Sequence, residues 1–473
     1  MADKDPSDAL PIDNKKLMQL LQQLGAQSLV DAPTSKLRRE EEEEKSAKHE
    51  FWETQPVPKS TDEVKEDGPL HPPLTPEQIP KDPYPLPPSL SWCLVDIEVE
   101  EQMQEMHDLL MDHYVEDVDS KFRFNYSTEF LRWALLPPNV RKDWHIGVRD
   151  AATGALVAFI SGIPVEVMVR DKTITMAEIN FLCVHKGLRS QRLAPLLIKE
   201  VTRHVHQVGI FQAVYTAGRQ LPKPVSTCRY FHRSLNPRKL MDAGFSKKVS
   251  GPDLVKLMSM LRLPPQTSTP GLRPMRKGDV SQVRKLLNRY LKNRCEVLPI
   301  FKTDAEVAHW FLPREDVMWT YVVDDAEHPG KLSDFFSFYS LPSSVLKSNK
   351  QGSTTVRGTI KPVYLFYYGT KTDYEVKLTD EEKAACTGQK QQKALAKQKQ
   401  NELIKGRLVE LMQDMLVLAK AAGFDVVNCL HMMDNREFLE ELGFGPGDGF
   451  LRYYFYNWLA RPFEPSKIGL VML

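Results

Sequence analysis

Two arginines three positions apart, Arg189 and Arg192, stand in a polar loop with Lys186, Ser190 and Gln191. Before the loop runs a short apolar stretch, Ile179 to Val184, of strand length. After it, Pro195 stands where a first helical turn tolerates proline, because the N–H it lacks would have no intrahelical partner there. Leu197, Val201, Val205 and Val208 continue at helical spacing, which predicts an amphipathic helix packed on its own strand. Strand, basic loop and helix N-terminus together suit phosphate groups: free backbone N–H groups and the positive end of the helix dipole face the ligand, and two guanidinium groups supplement them. The plainer reading is a solvated basic loop, and both readings stand at this point.

Those residues must be held by a folded body. The 473 residues are 42% hydrophobic and 26% charged, enough for two ordinary domains with substantial cores. A formal net charge of +1 gives no global argument for nucleic acid, so any anion site is local. Six scattered cysteines (Cys93, Cys183, Cys228, Cys295, Cys386, Cys429) lack metal-ligand spacing and read as reduced thiols, with Cys183 a core residue. No signal peptide and no bilayer-length apolar run are found, so a soluble, cytosolic protein is expected.

Residues 1–47 carry the run Glu40 to Glu44 and few aromatics, which predicts a disordered tail. Residues 48–90 form a proline-rich arm that opens on Phe51-Trp52, two bulky aromatics that need somewhere to bury. The remainder repeats one plan. Met106, Leu109 and Leu110 share a helix face, and Val283, Leu286 and Leu287 do so 177 positions on. Strands begin at Trp144 and Trp319; then ALVAFISGIPV matches FFSFYSLPS and INFLCVH matches VYLFYYG. Helices at 195–208 and roughly 403–422 come next, then FQAVYTA with FDVVNCL, and short helices ending in Gly-Phe at KLMDAGF and FLEELGF. Such order implies duplication, with the boundary at 250–270. Only the first copy has the compact basic loop; in the second, the polar insert 370–402 replaces it and is expected to be a solvated face. The final residues Gly469 to Leu473 are apolar up to the carboxylate. Burying them would carry a charge inward, where it needs a donor or cationic partner.

Many stretches together resemble the glycylpeptide N-myristoyltransferases: FWETQPVPK, FRFNYS, EINFLCVHKGLRSQRLAP, YTAG, LPKPVSTCRYFHRSLNPRKL, SFYSLPS, FGPGDG and GLVML. The resemblance runs from residue 49 to the end. It implies an α/β fold of two tandem acetyltransferase (GNAT)-like domains related by a pseudo-twofold, a mixed β-sheet flanked by helices. The first domain, 91–255, would bind myristoyl-CoA; the second, 256–473, would bind peptide and supply the catalytic C-terminus. The implied reaction moves myristate from myristoyl-CoA, the acyl-donor substrate, to the α-amino group of an N-terminal glycine, with no cofactor and no metal.

In residue terms the resemblance maps acyl-CoA contacts onto Glu50, Phe51, Trp52, Phe181, Leu182, Cys183, Val184, Arg189, Ser190, Gln191, Arg192, Leu193 and Ala194. The N–H groups of Phe181 and Leu182 would form an oxyanion hole, and the carboxylate of Leu473 would be the base. An α-carboxylate with a pKa of about 3.3–3.7 is a weak base for an ammonium of about 7.7–8.0, and burial would improve the match. Peptide contacts fall on Asn180, Thr216, Tyr230, His232, Ser343, Tyr364, Asp448 and Leu451, with Phe122, Phe124 and Tyr126 lining the groove. Glu116, Asp117 and Asp119 would suit a basic residue in the acceptor. Departures from the family pattern are His49-Glu50 beside the phosphates, Phe231 for tryptophan, Asn125 for aspartate, and the length of the insert. The family further implies a monomer that binds acyl-CoA first; the tail is suited to association with ribosomes, and no nucleic-acid or membrane-spanning partner is expected. Two other readings remain: an acyltransferase of different chain length, separated by acyl-CoA competition, and a non-catalytic acyl-CoA or peptide adaptor, separated by binding without turnover.

Overall fold

The computed structural model describes residues 50–59, 61–115, 122–348, 354–373 and 378–473. The tail 1–47 with its expected ribosome association, and the acidic residues Glu116, Asp117 and Asp119, lie outside the described residues. In chain order the first half contains α1 (Glu50–Glu53), β1 (Leu90–Leu94), α2 (Glu100–His113), β2 (Phe122–Phe124), α3 (Thr128–Leu135), β3 (His145–Asp150), β4 (Leu156–Val169) and β5 (Lys172–Val184). It continues with α4 (Leu193–Gln207), β6 (Ala213–Ala217), β7 (Ser226–Ser234), α5 (Pro237–Asp242) and α6 (Gly251–Met260). The second half contains β8 (Leu272–Pro274), α7 (Val280–Arg294), β9 (Val297–Pro299), α8 (Asp304–Phe311), β10 (Met318–Asp324), β11 (Leu332–Ser340), β12 (Ser343–Ser348), β13 (Thr354–Ile360) and β14 (Pro362–Thr370). After these come α9 (Asp380–Ala385), α10 (Gln389–Ala421), β15 (Val426–Leu430), α11 (Arg436–Leu439) and β16 (Gly445–Tyr456).

The repeat expected from the sequence is visible as a repeat of elements. Met106, Leu109 and Leu110 on α2 are buried, as are Val283, Leu286 and Leu287 on α7. The Gly-Phe endings work alike in both halves. Gly244 and Gly443 adopt positive φ (77° and 71°), and the N–H of the following phenylalanine donates back to Leu240 and Leu439. A left-handed residue after a helix closes its last turn, and glycine takes that conformation without a Cβ penalty.

Neighbours in the sheet are less obvious. The strands β1-β3-β4-β5-β6-β16-β7-β15-β14-β11-β10-β8 form one mixed sheet, with β9 paired to β4. Strand β16, from the end of the chain, pairs with β6, while β7 pairs with β15; the two exchanged strands also pair with each other, antiparallel. Each half is therefore completed by a strand from the other. On one face α4 packs Leu193, Leu197, Val201 and Val205 against Ile146, Val148, Ala158, Ile160 and Ala177. A single larger core, shared by α2, α3, α7, α8 and α10, fills the remainder.

Among its described residues the insert 370–402 is mostly solvated, as expected of a solvated face, and it is helical. It contains α9 and the first turns of α10, whose 33 residues begin well before residue 403. Lysine, glutamine and alanine are good helix formers, and a helix already nucleated by the buried segment Ile404–Ala419 extends at little cost. No helix of the described residues is long and apolar enough to cross a membrane.

The proline-rich arm lies on the body. Gly68 bridges Leu459, Asp67 pairs with Arg170, and the Tyr84 N–H donates to Glu200. On β3, His145 is fully buried, and neither ring nitrogen has a partner among the described residues. Desolvation lowers its pKa to about 4 from 6.5. Between those values the unfolded chain takes up a proton that the folded chain refuses, so this share of stability is complete above pH 6.5 and is lost as pH falls towards 4. Urea midpoints at pH 7.5 and 5.0 should therefore separate less in H145L than in the parent. His206 and His309, also lowered to about 4 by burial, contribute in the same direction and keep the separation from vanishing. An unchanged separation would refute this account.

Candidate active site

Strand β5 sets the site because it is irregular. Phe159 faces Cys183 across the β4–β5 ladder, but Ser161 faces Asn180, so β5 holds one extra residue, and Phe181 sits at φ +54°. A bulge changes which residues face which side. Met176, Glu178 and Asn180 alternate onto the face of the large core; past the bulge, Phe181 and Cys183 take that face, while Leu182 and Val184 turn to α4. Parallel pairing of β5 with β6 reaches only Ile179 and Tyr215, so beyond them the two strands are no longer joined. A left-handed phenylalanine is strained, and strain of this kind persists only where the surroundings fix it. Here the buried Ser161 hydroxyl donates to the Asn180 carbonyl at 2.9 Å. In a trans peptide the C=O and the following N–H point oppositely, so this bond turns the Phe181 N–H away from β4, towards the Tyr114 hydroxyl.

Sequence reasoning did not find Ser161 or Tyr114. Neither belongs to a motif, and only the register exposes them. Burial pushes the Cys183 thiol up to about 12, and the group donates weakly to the Leu109 carbonyl, which suits a core residue and not a thiolate.

At the end of β5 the loop folds as a 3₁₀ turn over Lys186–Gln191. Arg192 then takes the left-handed region (φ 55°) immediately before α4, and no side chain caps that helix. Arg189 donates to the His113 carbonyl at 2.6 Å, which ties the loop to the end of α2. Ser190, Gln191 and Arg192 are exposed, whereas Leu193 is buried and Ala194 partly so. The guanidinium of Arg192 meets the Glu50 carboxylate at 3.3 Å, both strongly exposed. Glu50 therefore does not turn away from the basic loop but faces it. An exposed pair of this kind contributes little and gives way easily to a better anion. Phe51 packs edge-on to Trp52, and Trp52 stacks on Tyr215 (5.4 Å, 6°), which stacks on Tyr454. The arm thus reaches the side of the sheet where β5 and β6 part.

The C-terminal segment is threaded into the large core as an extended chain. Met433 donates to the Ile468 carbonyl, and Gly469 N–H to the Val297 carbonyl. Tyr453 Oη donates to the Leu470 carbonyl, and the Val471 N–H donates to Tyr367 Oη. Ile468, Leu470 and Met472 are buried; Val471 and Leu473 are half-buried and face a cleft that they share with Glu178, Ile163 and Tyr367. Tyr367, Tyr453 and Val297 are further residues that the sequence did not single out.

The expected peptide residues divide between the three-stranded sheet β13-β12-β2 and the large sheet. Phe122, Phe124 and Ser343 belong to the first, and Phe124 pairs with Ser343. Tyr230, His232, Tyr364, Thr216 and Leu451 belong to β7, β14, β6 and β16 of the second. Rings join the two: Phe124 approaches Tyr364 (6.5 Å), and Phe122 and His232 both meet Phe245. Tyr126 is buried between Phe124 and Phe181 and serves as wall. His232 hydrogen-bonds Asn428 at 2.7 Å, and burial holds it towards the neutral form. Asp448 lies near His232 and Arg229, and burial raises its pKa. Asn180 donates to Glu178, so it sits where the bulge, the tail and this aromatic groove meet.

The basic loop follows the bulge along β5, the groove meets Phe181 through Tyr126, and the end of the tail shares a cleft with Glu178 on the same strand. Such an arrangement can hold an activated acyl group at the bulge and an amine at the tail.

Two family models match the chain: the N-terminal domain of myristoyl-CoA:protein N-myristoyltransferase over residues 69–228 and its C-terminal domain over residues 242–471. A glycylpeptide N-tetradecanoyltransferase of Saccharomyces cerevisiae is 44% identical over 97% of this chain and 98% of its own. Glycylpeptide N-tetradecanoyltransferase 2 of Danio rerio is 45% identical over 90% of this chain and 77% of its own. A crystal structure of the yeast N-myristoyltransferase with bound myristoyl-CoA aligns with a TM-score of 0.79 at 43% identity, covering 90% of this chain and 99% of that one.

Proposed function

The chain belongs to the myristoyl-CoA:protein N-myristoyltransferase family, and from that premise we infer how it moves a myristoyl group from myristoyl-CoA to the N-terminal glycine of a protein. The observation that carries the reading is the bulge at Phe181, set on the face of the sheet into which the C-terminus is threaded.

Phosphates of the acyl-CoA rest on Arg189, Ser190, Gln191, Arg192 and the uncapped start of α4, where Arg192 exchanges Glu50 for the stronger anion. The chain's own aromatic pair, Phe51 and Trp52, covers the cofactor-like portion of the donor. The thioester carbonyl lies against the N–H groups of Phe181 and Leu182. The glycine ammonium lies against the Leu473 carboxylate, which takes one proton; the freed amine attacks the carbonyl carbon, and the two N–H groups hold the negative oxygen that forms. The C–S bond then breaks, the nitrogen loses its second proton, and amide and CoA result. Preorganised donors of this kind are worth about 10²–10³ in rate each. No covalent acyl-enzyme is required, in keeping with the buried Cys183 thiol. Phe122, Phe124, Tyr230, His232, Tyr364 and Leu451 hold the peptide, and glycine is demanded because a side chain would meet the tail. We also assign the enzyme to the cytosol as a monomer. We divide it at 255/256, noting that Tyr230 and His232 on β7 stand among the strands of the second half.

The direct test offers myristoyl-CoA and a Gly-initiated octapeptide, with an Ala-initiated control. Acylated product from the first peptide alone is expected, and acetyl-CoA should compete poorly as donor. Preference for acetyl-CoA, or acyl-CoA binding without turnover on any Gly-initiated peptide, would overturn the reading.

A further inference from the structure

Making an amide from an ammonium removes two protons from one nitrogen. One can leave on the CoA thiol, and the other must reach solvent. The Leu473 carboxylate can accept one proton at a time, and the residue that carries it is half-buried in the cleft. It must therefore be emptied within each cycle, and the question is where its proton goes.

A second carboxyl lines the same cleft as Leu473. Glu178 lies on β5 between Ala177 and Ile179, opposite Ile163 on β4 and Val214 on β6, and is buried. Among the described residues its side chain accepts a hydrogen bond from Asn180 at 2.9 Å. With Leu473 and Val471 it lines a cleft of about 50 Å³, which Tyr367, Phe301, Asn139, Glu166 and Glu306 also line. The polar groups sharing that cleft are the Tyr367 hydroxyl, which accepts from Val471, Glu166, paired with Lys302, and Glu306, which caps its own helix at Thr303. None is a cation turned on Glu178. The walls are mainly apolar, but this volume is several times what one water needs, and the few polar groups leave room for a bridging water between them.

We propose that Glu178 is the relay through which the glycine proton leaves: the Leu473 carboxylate passes it to the Glu178 carboxylate, which passes it to water in the cleft. Each transfer breaks one O–H bond and forms another, so charge and protons balance, and the sole net product is a solvated proton. The relay rests on Leu473 being the base. Glu178 acts through it and does not touch the reacting atoms. Burial raises the pKa of Glu178 to about 7, against the Asn180 hydrogen bond that lowers it. A station of that pKa can both accept and release a proton near neutrality. The same burial explains why an acidic residue is tolerated inside an apolar strand only with a route to solvent.

The test uses E178Q, which keeps the Asn180 contact. Myristoyl-CoA and peptide affinities should stay within twofold, while single-turnover acyl transfer at pH 7.5 falls about 10–100-fold. The rise of that rate between pH 6 and 8 should move by at least half a unit. Because a folded pKa above the unfolded value costs stability as pH rises through 4.5 to 7, the Tm of E178Q at pH 8 should equal or exceed the parent's, separating relay loss from misfolding. A rate within twofold of the parent, or an equal loss at every pH, overturns the relay. Run beside a chain lacking Leu473, the outcomes separate. Slow transfer in that chain with normal E178Q removes the relay and keeps the base; normal transfer without Leu473 removes both.

Discussion

A chain lacking Leu473 is expected to bind myristoyl-CoA as the parent does and to lose single-turnover acyl transfer by on the order of 10²–10³-fold, within the range for removing a positioned base. The size follows from geometry. Consecutive residues of an extended chain alternate sides and advance by about 3.3 Å. Deleting one residue therefore moves the carboxylate onto Met472, which is buried and faces the core, away from the half-buried side shared by Val471 and Leu473. The charge is kept, but it is withdrawn by one residue and turned around. Upstream anchors are untouched, because Tyr367 holds the Val471 N–H and Tyr453 holds the Leu470 carbonyl. Appending a single glycine after Leu473 should be nearly as damaging, since it advances and reverses the charge. Acyl-CoA affinity from calorimetry and a quenched-flow transfer rate decide the matter. A truncated chain that turns over normally would place the base elsewhere.

Gly469 should be nearly as sensitive, although it lies four residues from the end. A Cβ built on it would stand 2.8 Å from Cys295 Sγ, 3.0 Å from Cys295 Cβ and 3.2 Å from Leu291 Cδ2. Its N–H is committed to the Val297 carbonyl at 2.6 Å, so the tail cannot simply shift outwards. Overpacking at such a point costs about 1–3 kcal/mol for one methyl group. G469A should lower the Tm and slow transfer by roughly tenfold through misplacement of Leu473, as small displacements of reacting groups are expensive. G469V should abolish measurable transfer. C295A removes the closest contact but leaves the Cβ at 3.0 Å, so C295A/G469A should recover part of both losses. No recovery in the double variant would refute the steric account.

Much of this arrangement was legible in the sequence where local chemistry dictates it. Gly244 and Gly443 were marked by position and type, and their positive φ values are what a helix end requires of glycine. The buried faces of α2 and α7 followed from helical spacing, and the tail's continuous apolar run pointed to burial. The bulge could not be read, because Phe181 has no compositional mark of a left-handed residue; the Ser161 hydroxyl and the β4 register impose it. Strand exchange was also hidden: spacing gives the order of elements along the chain, whereas β6 and β7 are split by a strand more than two hundred residues away. The length of α10 was missed for a different reason. A run of lysine and glutamine suggests a solvated segment, and it is solvated, but good helix formers joined to a buried helix continue it. Glu178 stands just before the apolar run that was read, and nothing in the sequence singled it out; its meaning requires the cleft it lines.

The exchange of β7 and β16 bears on how the chain is made. During synthesis the first half emerges with β6 exposed along the edge that β16 will cover, and β7 emerges with its partner β15 still untranslated. Neither sheet half can close until nearly every residue has left the ribosome. Closure of both halves therefore waits for β16, and a fragment ending before Gly445 should present unpaired strand edges to chaperones and proteases instead of an independent domain.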